Sequence, residues 1–363
     1  MSEVEPRSER NAATVQSGME PMLAAMFEEV AAAAPIYRPS RFWENLNAIN
    51  LSMLSDHGLG NFKRTVAQNY FNWLVINGRD NQFRNVFAAW LRRPSMQPIL
   101  NKLEAPELLK TTVGLEKKVG SWQLFIYKVF VGMLWEIARR DDRSGLAATM
   151  EEPSLGNPIV LWRRGRRISQ DLANSIREFN TLLEVDASLL GRDKRMAELG
   201  AGYGRLGHVL LSDPGTKYFV FDIPPGLHVS QWYLSQLFPN EKIFRFRHFD
   251  DFRNCAAEIS ESRIGFFTPN QLELFPAEFF DVFSSISTLP EMTAAQSRNY
   301  IALMERVTAG LVYLKQWIKW ENPDDKQFFT KQDMALGVPF RCILDRTDAV
   351  QNQFSEQVWR RVA

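Results

Sequence analysis

The chain has 363 residues, of which 45% are hydrophobic and 23% are charged. These proportions are typical of a soluble globular protein and exclude the disordered and fibrous classes. Forty-three Lys and Arg against 42 Asp and Glu leave a formal net charge of +1, so no overall field attracts nucleic acid or an anionic membrane. The length is typical of two domains, or of one domain with a large extension.

The N-terminal part of the chain is predicted to be helical. Residues 1–18 are polar and lack apolar periodicity, which predicts a disordered tail. From residue 19 to about residue 150, apolar side chains recur at helical spacing, as in Met22, Met26 and Val30. We expect a helical domain at 19–150 that covers a ligand site, joins two chains into a homodimer, or does both.

The remaining chain, residues 151–363, is predicted to be an α/β domain. Short apolar runs alternate there with helical segments, the pattern of a largely parallel sheet with helices on its faces. Strands are predicted at Arg195–Leu199, Tyr218–Asp222, Ile243–Phe249, Phe280–Ile286 and Gly310–Trp317, with helices at Gly204–Leu211, Val229–Leu237 and Ala294–Arg306. The segment Cys342–Trp359 is expected to add one or two strands at the edge of the sheet.

The composition also indicates the cellular compartment and limits the kinds of partner. Cys255 and Cys342 are too few for a disulfide framework, and no His, Cys and carboxylate set has metal-site spacing. The N-terminus lacks the pattern of a secretory signal, and no apolar run is long enough to span a membrane. We therefore expect a cytoplasmic protein without a metal or a membrane partner. The four arginines within 163–167 are interpreted as a solvated face of the linker rather than a nucleic-acid site.

The clearest chemical signal is a glycine-rich loop between the first predicted strand and the next helix. From Glu198 to Gly207 the sequence is E-L-G-A-G-Y-G-R-L-G. Alternate glycines let the backbone turn tightly and approach a ligand, and the helix N-terminus offers free N–H groups. Asp222 ends the second predicted strand, where a carboxylate can accept hydrogen bonds from both hydroxyls of a ribose. This unit predicts a nucleotide-like ligand at the same edge of the sheet.

Two cofactors are compatible with this unit. The G-x-G-x-x-G spacing from Gly202 to Gly207 also matches the dinucleotide-binding pattern. Glu198 precedes the first glycine, where a carboxylate suits the amino-acid part of S-adenosylmethionine and is unfavourable beside a pyrophosphate. No Tyr-x-x-x-Lys pair, one common arrangement for hydride transfer, occurs in the chain. The residues therefore favour S-adenosylmethionine.

The segment from Ala197 to Pro239, with A-E-L-G-A-G-Y-G-R and F-D-I-P-P, resembles the bacterial sugar O-methyltransferase family. Further similar segments are N-F-K-R-T from Asn61, N-Y-F from Asn69, S-T-L-P-E-M from Ser287 and L-K-Q-W from Leu314. The resemblance extends roughly from residue 38 to the end. It implies a class I methyltransferase fold with a seven-stranded Rossmann-like sheet, S-adenosylmethionine as the cofactor, and a sugar hydroxyl as the acceptor. The S-T-L-P-E-M loop departs from the family, in which this loop is more polar.

In this fold the cofactor lies across the carboxyl ends of the first strands. The expected cofactor-binding residues are those that follow each strand: Glu198, Gly200, Ala201, Gly202, Tyr203, Asp222, Ile223, Phe249, Asp250, Ser285, Ile286 and Ser287. We expect Phe249 and Asp250 to contact adenine, and the segment 285–287 to contact the methionine and methyl end.

Methyl transfer to a hydroxyl needs a base whose pKa lies near about 7. Glu291, in the loop after the fourth predicted strand, is the first candidate, although a carboxylate there also suits the start of the following helix. His228, which follows two prolines and a glycine near the cofactor edge, is the second candidate.

The acceptor site has weaker candidates. Trp43, Tyr70, Phe71 and Trp73 are candidates for an aromatic wall, or for core packing at helical spacing. Lys315 and Gln316, at the end of the fifth predicted strand, are candidates for acceptor contacts.

Two alternative functions stay open on the sequence. The first is N- or O-methylation of a non-sugar natural product or amino-acid derivative, which the altered S-T-L-P-E-M loop permits. The second is a non-catalytic cofactor-binding or assembly protein whose helical half is a dimerisation module. The preferred expectation is a small-molecule methyltransferase of natural-product or polysaccharide biosynthesis.

Overall fold

The computed structural model describes residues 20–70, 72–92, 110–111, 120–322 and 326–362. The predicted tail at 1–18 lies outside these residues. Helices predominate up to residue 149: α1 (Pro21–Ala32), α2 (Arg41–His57), α3 (Val66–Asn69), α4 (Asn81–Trp90), α5 (Ser121–Arg140) and α6 (Leu146–Thr149). A two-stranded ladder pairs β1 (Val75–Ile76) with β2 (Lys110–Thr111). None of the described helices is long and apolar enough to cross a membrane.

Helix α5 shows how the apolar spacing produces the helical half. Tyr127, Phe130, Leu134 and Ile137 are spaced by three or four residues, so they share one face, and all are buried. This face packs against α4 and against α7 (Gln170–Val185) of the second half. The apolar stripe of α5 therefore joins the two halves of the chain.

The arginine-rich run forms a β-hairpin rather than a stretch of linker. Strand β3 (Leu161–Arg163) pairs with β4 (Arg166–Ile168), and the turn residues Arg164 and Gly165 both have positive φ, as in the tight turns of hairpins. Arg163 pairs with Glu136 of α5 at 2.6 Å, and Arg167 pairs with Glu151 at 2.9 Å. Two of the four arginines are thus held by carboxylates.

The second half contains the main sheet. Its remaining elements in chain order are β5 (Lys194–Leu199), α8 (Arg205–Leu210), β6 (Thr216–Phe221), α9 (Gly226–Leu237), β7 (Ile243–Phe244), α10 (Ala256–Glu261), β8 (Ile264–Phe267), β9 (Phe280–Ile286), α11 (Ala294–Val307), β10 (Thr308–Trp317), β11 (Lys319–Glu321), β12 (Phe328–Thr330), β13 (Phe340–Thr347) and β14 (Phe354–Arg361). The strand order is β13-β14-β10-β9-β5-β6-β8-β7. Strand β14 is antiparallel to both of its neighbours, while the pairs from β10 to β7 are parallel.

Apart from β7, this order is 6-7-5-4-1-2-3 with the seventh strand antiparallel. The fold is that of class I methyltransferases. The predicted fold class is therefore confirmed, with eight strands in the sheet rather than seven. The C-terminal segment adds the two predicted edge strands, β13 and β14.

The prediction of the third strand at Ile243–Phe249 was wrong. Only Ile243–Phe244 pairs, at the edge of the sheet, and the Phe246 N–H donates to the Gln231 side chain at 2.7 Å. The third central strand is β8, a short I-G-F-F run that contains a glycine. A Cβ at Gly265 would lie 2.7 Å from the Phe267 ring and 2.8 Å from the Phe219 ring. The packing of these rings therefore requires a glycine, and that glycine interrupts the apolar run by which a strand is recognised in the sequence.

A buried ion pair connects the helical half to the segment before the sheet. Lys63 lies 2.5 Å from Glu152, and both side chains are almost completely excluded from solvent. The other oxygen of Glu152 accepts a hydrogen bond from Ser169 at 2.6 Å, and the Lys63 N–H donates to the Gly156 carbonyl at 3.0 Å. The N-F-K-R-T segment thus holds the two parts of the chain together.

Replacing Glu152 by Gln should lower the free energy of unfolding by about 3–5 kcal/mol, because the Lys63 ammonium group stays buried without a counter-charge. Glu151→Gln is the matched control, since it makes the same change one residue away on an exposed carboxylate and should leave stability close to that of the wild type. Urea denaturation measures both. Equal losses in the two variants would contradict a stabilising role for the buried pair.

Candidate functional site

A cavity with an empty volume of about 970 Å³ lies at the carboxyl ends of β5, β6 and β9. Strand β5 lies between β6 and β9, so the strand order changes direction at β5. Ligands of open α/β sheets bind at such a switch point. Ser40, Trp43, Asn47 and Tyr70 of the helical half line the opposite wall. The helical half therefore covers the cavity.

The glycine loop after β5 is held in place from both sides. Gly200, Gly202 and Gly204 all have φ between +60° and +83°, a region that favours glycine. A Cβ at Gly200 would also lie 2.2 Å from the Thr288 hydroxyl, so the loop after β9 packs directly on this position. The Gly200 N–H donates to the Phe221 carbonyl at 2.8 Å. The loop backbone is therefore fixed where it lines the cavity.

Asp222, at the end of β6, holds the glycine loop. Its carboxylate accepts hydrogen bonds from the Gly202 N–H at 2.8 Å and from the Ile223 N–H at 2.7 Å. Burial raises the pKa of Asp222 to about 7, while the two hydrogen bonds act in the opposite direction. The carboxyl lines the cavity. It lies near Tyr70 of the helical half, since a Cβ added at Gly226 would be 3.3 Å from Asp222 Oδ2 and 3.4 Å from Tyr70 Oη.

Glu198 lines the cavity at the end of β5. Its side chain accepts a hydrogen bond from the Tyr218 hydroxyl and is buried. Burial raises the pKa of Glu198 to about 8, more than the Tyr218 hydrogen bond lowers it. The group is therefore largely protonated at neutral pH in the free protein. A cationic ligand group beside it would favour the carboxylate form.

Arg205, at the start of α8, also lines the cavity and is already paired. Its Nη1 lies 2.5 Å and its Nη2 lies 3.0 Å from the two oxygens of Glu178. Glu178 in turn pairs with Lys315 at 3.1 Å, and Lys315 pairs with Asp348 at 2.9 Å. Lys315 is thus engaged in buried ion pairs. It does not line the cavity, which contradicts its expected contact with an acceptor.

Gln316 does not line the cavity either and has a structural role. Its side chain donates to the Ser285 carbonyl at 2.9 Å and accepts from the Thr288 N–H at 3.0 Å. Ser285 is completely buried and does not line the cavity, unlike its neighbours Ile286 and Ser287. The pair positions the loop after β9.

Glu291 lines the cavity from this loop. The helical half holds it at two points: the Ser40 hydroxyl donates to the Glu291 carbonyl at 2.7 Å, and the Trp43 side chain hydrogen-bonds to the Glu291 carboxylate. Burial raises the pKa of Glu291 well above its usual value, the Trp43 hydrogen bond lowers it, and the charge of Asp222 raises it further. The raised pKa makes the Glu291 carboxylate a stronger proton acceptor than an exposed glutamate.

Two buried polar atoms of residues in the covering wall, the Tyr70 hydroxyl and Asn47 Oδ1, have no hydrogen-bond partner among the described residues. Buried polar groups are normally paired, so these two atoms are candidates for hydrogen bonds to a ligand. The Trp43 ring lies 5.5 Å from the Tyr70 ring. Of the other aromatic candidates, Trp73 is buried away from the cavity, and Phe71 lies outside the described residues.

Most of the residues expected at the site do meet at this cavity: Glu198, Gly200, Ala201, Gly202, Asp222, Ile223, Ile286, Ser287 and Glu291. Tyr203 does not, although it belongs to the loop. Its hydroxyl donates to Asp171 at 2.6 Å and accepts from the Trp73 indole N–H at 3.2 Å. It therefore anchors the loop from behind.

Phe249 and Asp250 also lie outside the cavity. They line a separate groove beside α1, because the strand that was expected to precede them is only the edge pair Ile243–Phe244. Pro269, after β8, takes the place along the cavity that the prediction gave to them. His228 faces away as well, with its Nε2 3.1 Å from Glu20.

Sequence reasoning missed Arg205, Thr288, Asn47 and Pro269 as cavity residues. Arg205 and Thr288 lie inside the motifs that carry the family resemblance, so a signal was present for both. Asn47 lies in the middle of α2 with no local signal, and only the docking of the helical half brings it to the cavity. Among the described residues, no group of three His, Cys, Asp or Glu side chains is arranged to hold a metal ion.

No protein-family model matches this sequence, and no curated protein is significantly similar to it. Several solved structures are similar to about half of the chain. The PH0226 protein of Pyrococcus horikoshii OT3 is 14% identical, with 53% of this chain and 92% of that chain covered and a TM-score of 0.39. Magnesium protoporphyrin IX methyltransferase of Synechocystis PCC 6803, with bound S-adenosylhomocysteine, is 12% identical over 53% of this chain and 86% of that chain, with a TM-score of 0.38.

A third solved structure is 1,6-didemethyltoxoflavin-N1-methyltransferase of Burkholderia thailandensis, with its substrate and S-adenosylhomocysteine bound. It is 14% identical, with 53% of this chain and 79% of that chain covered and a TM-score of 0.36. At these identities we draw no conclusion about substrate from the three likenesses.

The contribution of Glu198 to stability should fall as the pH rises from about 5 to 8, because Glu198 keeps its proton in the folded protein up to a pKa of about 8 but loses it near 4.5 when unfolded. The unfolded state then binds fewer protons than the folded state, and rising pH favours unfolding. Glu198→Gln removes this titration and keeps a carbonyl oxygen for Tyr218, so its unfolding temperature should depend less on pH. Thermal unfolding across this range measures both, and parallel curves would show that Glu198 titrates normally.

Proposed function

We propose that this chain is an S-adenosylmethionine-dependent methyltransferase that transfers a methyl group to a hydroxyl of a sugar or glycosylated small molecule. One observation carries the proposal: the glycine loop, Asp222 and Glu291 line a single cavity that the helical half covers. The loop and Asp222 supply the features of a nucleoside site, and Glu291 supplies a proton acceptor on the adjoining wall.

The residues of the cavity fit this cofactor. Asp222 is at the strand end where a carboxylate accepts hydrogen bonds from ribose hydroxyls. Ile223 and Pro269 offer apolar walls for a purine. Glu198 forms no ion pair with a described residue, although the charge of Arg205 lowers its pKa, and an ammonium group of the amino-acid part would provide a direct partner. When bound, the cofactor supplies a methyl group activated by a sulfonium centre.

The charges of the cavity argue against a dinucleotide. The described lining contains two cations, Arg38 and Arg205, beside the three carboxyls Glu198, Asp222 and Glu291. Arg205 is paired with both oxygens of Glu178. A pyrophosphate would therefore meet carboxyl groups and few free cations, which is unfavourable in a buried site.

Glu291 is the proposed base. Of the two sequence candidates, only Glu291 lines the cavity, since His228 pairs with Glu20 outside it. Burial raises its pKa well above the usual value, which makes its carboxylate a stronger proton acceptor. Trp43 orients its carboxylate, and Glu291 would take the proton of the acceptor hydroxyl as that oxygen forms its new bond to carbon.

The covering wall supports a hydroxylated acceptor. Asn47 Oδ1 and the Tyr70 hydroxyl offer an acceptor and a donor that have no partner in the described parts of the chain. The Trp43 ring beside them provides an apolar surface of the kind on which sugar rings pack. The wall would also exclude water from the reacting groups.

Calorimetric titration should show binding of S-adenosylhomocysteine, and no binding of NAD or NADP. Asp222→Asn should weaken this binding by about tenfold or more, because an amide cannot accept from both ribose hydroxyls and from the loop N–H groups. Asp250→Asn is the control, since this exposed carboxylate lies outside the cavity and should have no effect. Binding of a nicotinamide cofactor would contradict the proposal.

Glu291→Gln should lower the rate of methyl transfer by about 100-fold or more, with S-adenosylhomocysteine affinity nearly unchanged. Transfer of a labelled methyl group to hydroxylated acceptors found by screening glycosides measures the rate. His228→Asn is the control, because this histidine lies outside the cavity. An unchanged rate in Glu291→Gln would exclude it as the base, and cofactor binding without turnover on any acceptor would favour the non-catalytic alternative.

A further inference from the structure

A second cleft, with an empty volume of about 1740 Å³, lies where the end of α5, helix α7 and the β13–β14 hairpin meet. It shares no lining residue with the cavity at the glycine loop. On α7 it is lined by Arg177, Asn180, Thr181 and Glu184, whose spacing of three and four residues places them on one face of the helix. The proposed methyl transfer gives this cleft no role.

The carboxylates of this cleft are mostly engaged. Glu184 and Glu356 both pair with Arg346, at 2.8 and 2.7 Å. Asp142 accepts hydrogen bonds from the backbone N–H groups of Ser144 at 3.0 Å and Ala147 at 2.8 Å. Asp141, exposed at the end of α5, is the remaining acid of the lining.

The arginines of the cleft are less well matched. Arg140 donates to the Ala89 and Trp90 carbonyls at the end of α4, and not to a carboxylate of the described residues. Arg92 and Arg143 form no ion pair with any described residue, although both line the cleft. Three arginines of the lining therefore have no carboxylate partner in the described parts of the chain.

Arg177 supplies a second, independent observation. Its Nη2 lies 3.1 Å from Asp348, but its Nη1 has no hydrogen-bond partner among the described residues. A guanidinium donor without an acceptor is costly when it has lost its water. The guanidinium of Arg177, whose side chain is 17% exposed, therefore has an unused donor beside the cleft.

The backbone of Arg143 is held against α7. Its backbone N–H and that of Ser144 both donate to Asn180 Oδ1, at 2.5 and 3.1 Å, and Asn180 follows Arg177 by one helical turn. The side chain of Arg143 is exposed and free to turn into the cleft. Donors from α7 and from the loop after α5 thus approach the cleft from two directions.

We propose that this cleft binds a phosphate group, as a phosphate or diphosphate ester of a small molecule, with Arg143 and Arg177 as its main ligands. Guanidinium groups match tetrahedral oxyanions because each presents a fork of N–H donors. The oxygens of a phosphate point in several directions, so donors from two structural elements can bind the same group. A carboxylate has only two oxygens, which lie in one plane. The inference does not depend on the proposed methyl transfer.

Calorimetric titration of the full chain with pyrophosphate, phosphate and acetate, at constant ionic strength, tests this proposal. We expect saturable binding of one pyrophosphate per chain, weaker binding of phosphate, and no binding of acetate. Arg143→Gln should weaken pyrophosphate binding by about tenfold or more, through the loss of charge-assisted hydrogen bonds. The variant should fold normally, since the side chain is exposed and has no described partner.

Arg164→Gln is the matched control. Arg164 is an equally exposed arginine in a turn, but it belongs to the β3–β4 hairpin and does not line the cleft. It should bind pyrophosphate as the wild type does. The absence of saturable binding to the wild type, or equal weakening by the two substitutions, would overturn the proposal, because the second result indicates attraction to net charge rather than a site.

Discussion

The buried ion pair of Lys63 and Glu152 determines how the helical half lies against the sheet domain. The Lys63 ammonium lies 4.7 Å from the centre of the Tyr233 ring and 5.8 Å from that of Tyr203, a residue of the glycine loop. Breaking a charge pair without access to water is costly, so this docking has one stable geometry. The cavity depends on it, because Trp43, Asn47 and Tyr70 form its outer wall only in that position.

Burial sets the electrostatic character of the cavity. Glu198, Asp222 and Glu291 come from the ends of β5 and β6 and from the loop after β9, and burial raises the pKa of each above its usual value. The nearby cation Arg205, which pairs with Glu178, lowers the pKa of Glu198, but burial raises it more. Such a cavity favours ligands with a positive charge and with hydroxyl donors. The same property underlies the choice of a sulfonium cofactor over a dinucleotide in our proposal.

Local sequence predicted the sheet well wherever apolar runs were long and continuous. Strands β5, β6, β9 and β10 are buried on both faces and were recognised, whereas β8 was missed because its four residues include Gly265. Because β8 was missed, the adenine contacts were expected at Phe249 and Asp250 instead of after β8. Lys315 was misplaced for another reason: its position at a strand end is visible in the sequence, but its ion pairs with Glu178 and Asp348 join residues more than thirty positions away.

The sequence by itself determined most strands of the main sheet, the glycine loop and the acid that follows the next strand. These features depend on neighbours within a few residues, through glycine φ angles, apolar periodicity and the carboxyl ends of parallel strands. Only the tertiary structure decided that Glu291 and not His228 lies at the cavity, and that Asn47 and Tyr70 line it with polar atoms that have no partner among the described residues. Those outcomes depend on how two distant halves of the chain pack together, and no local pattern encodes that contact.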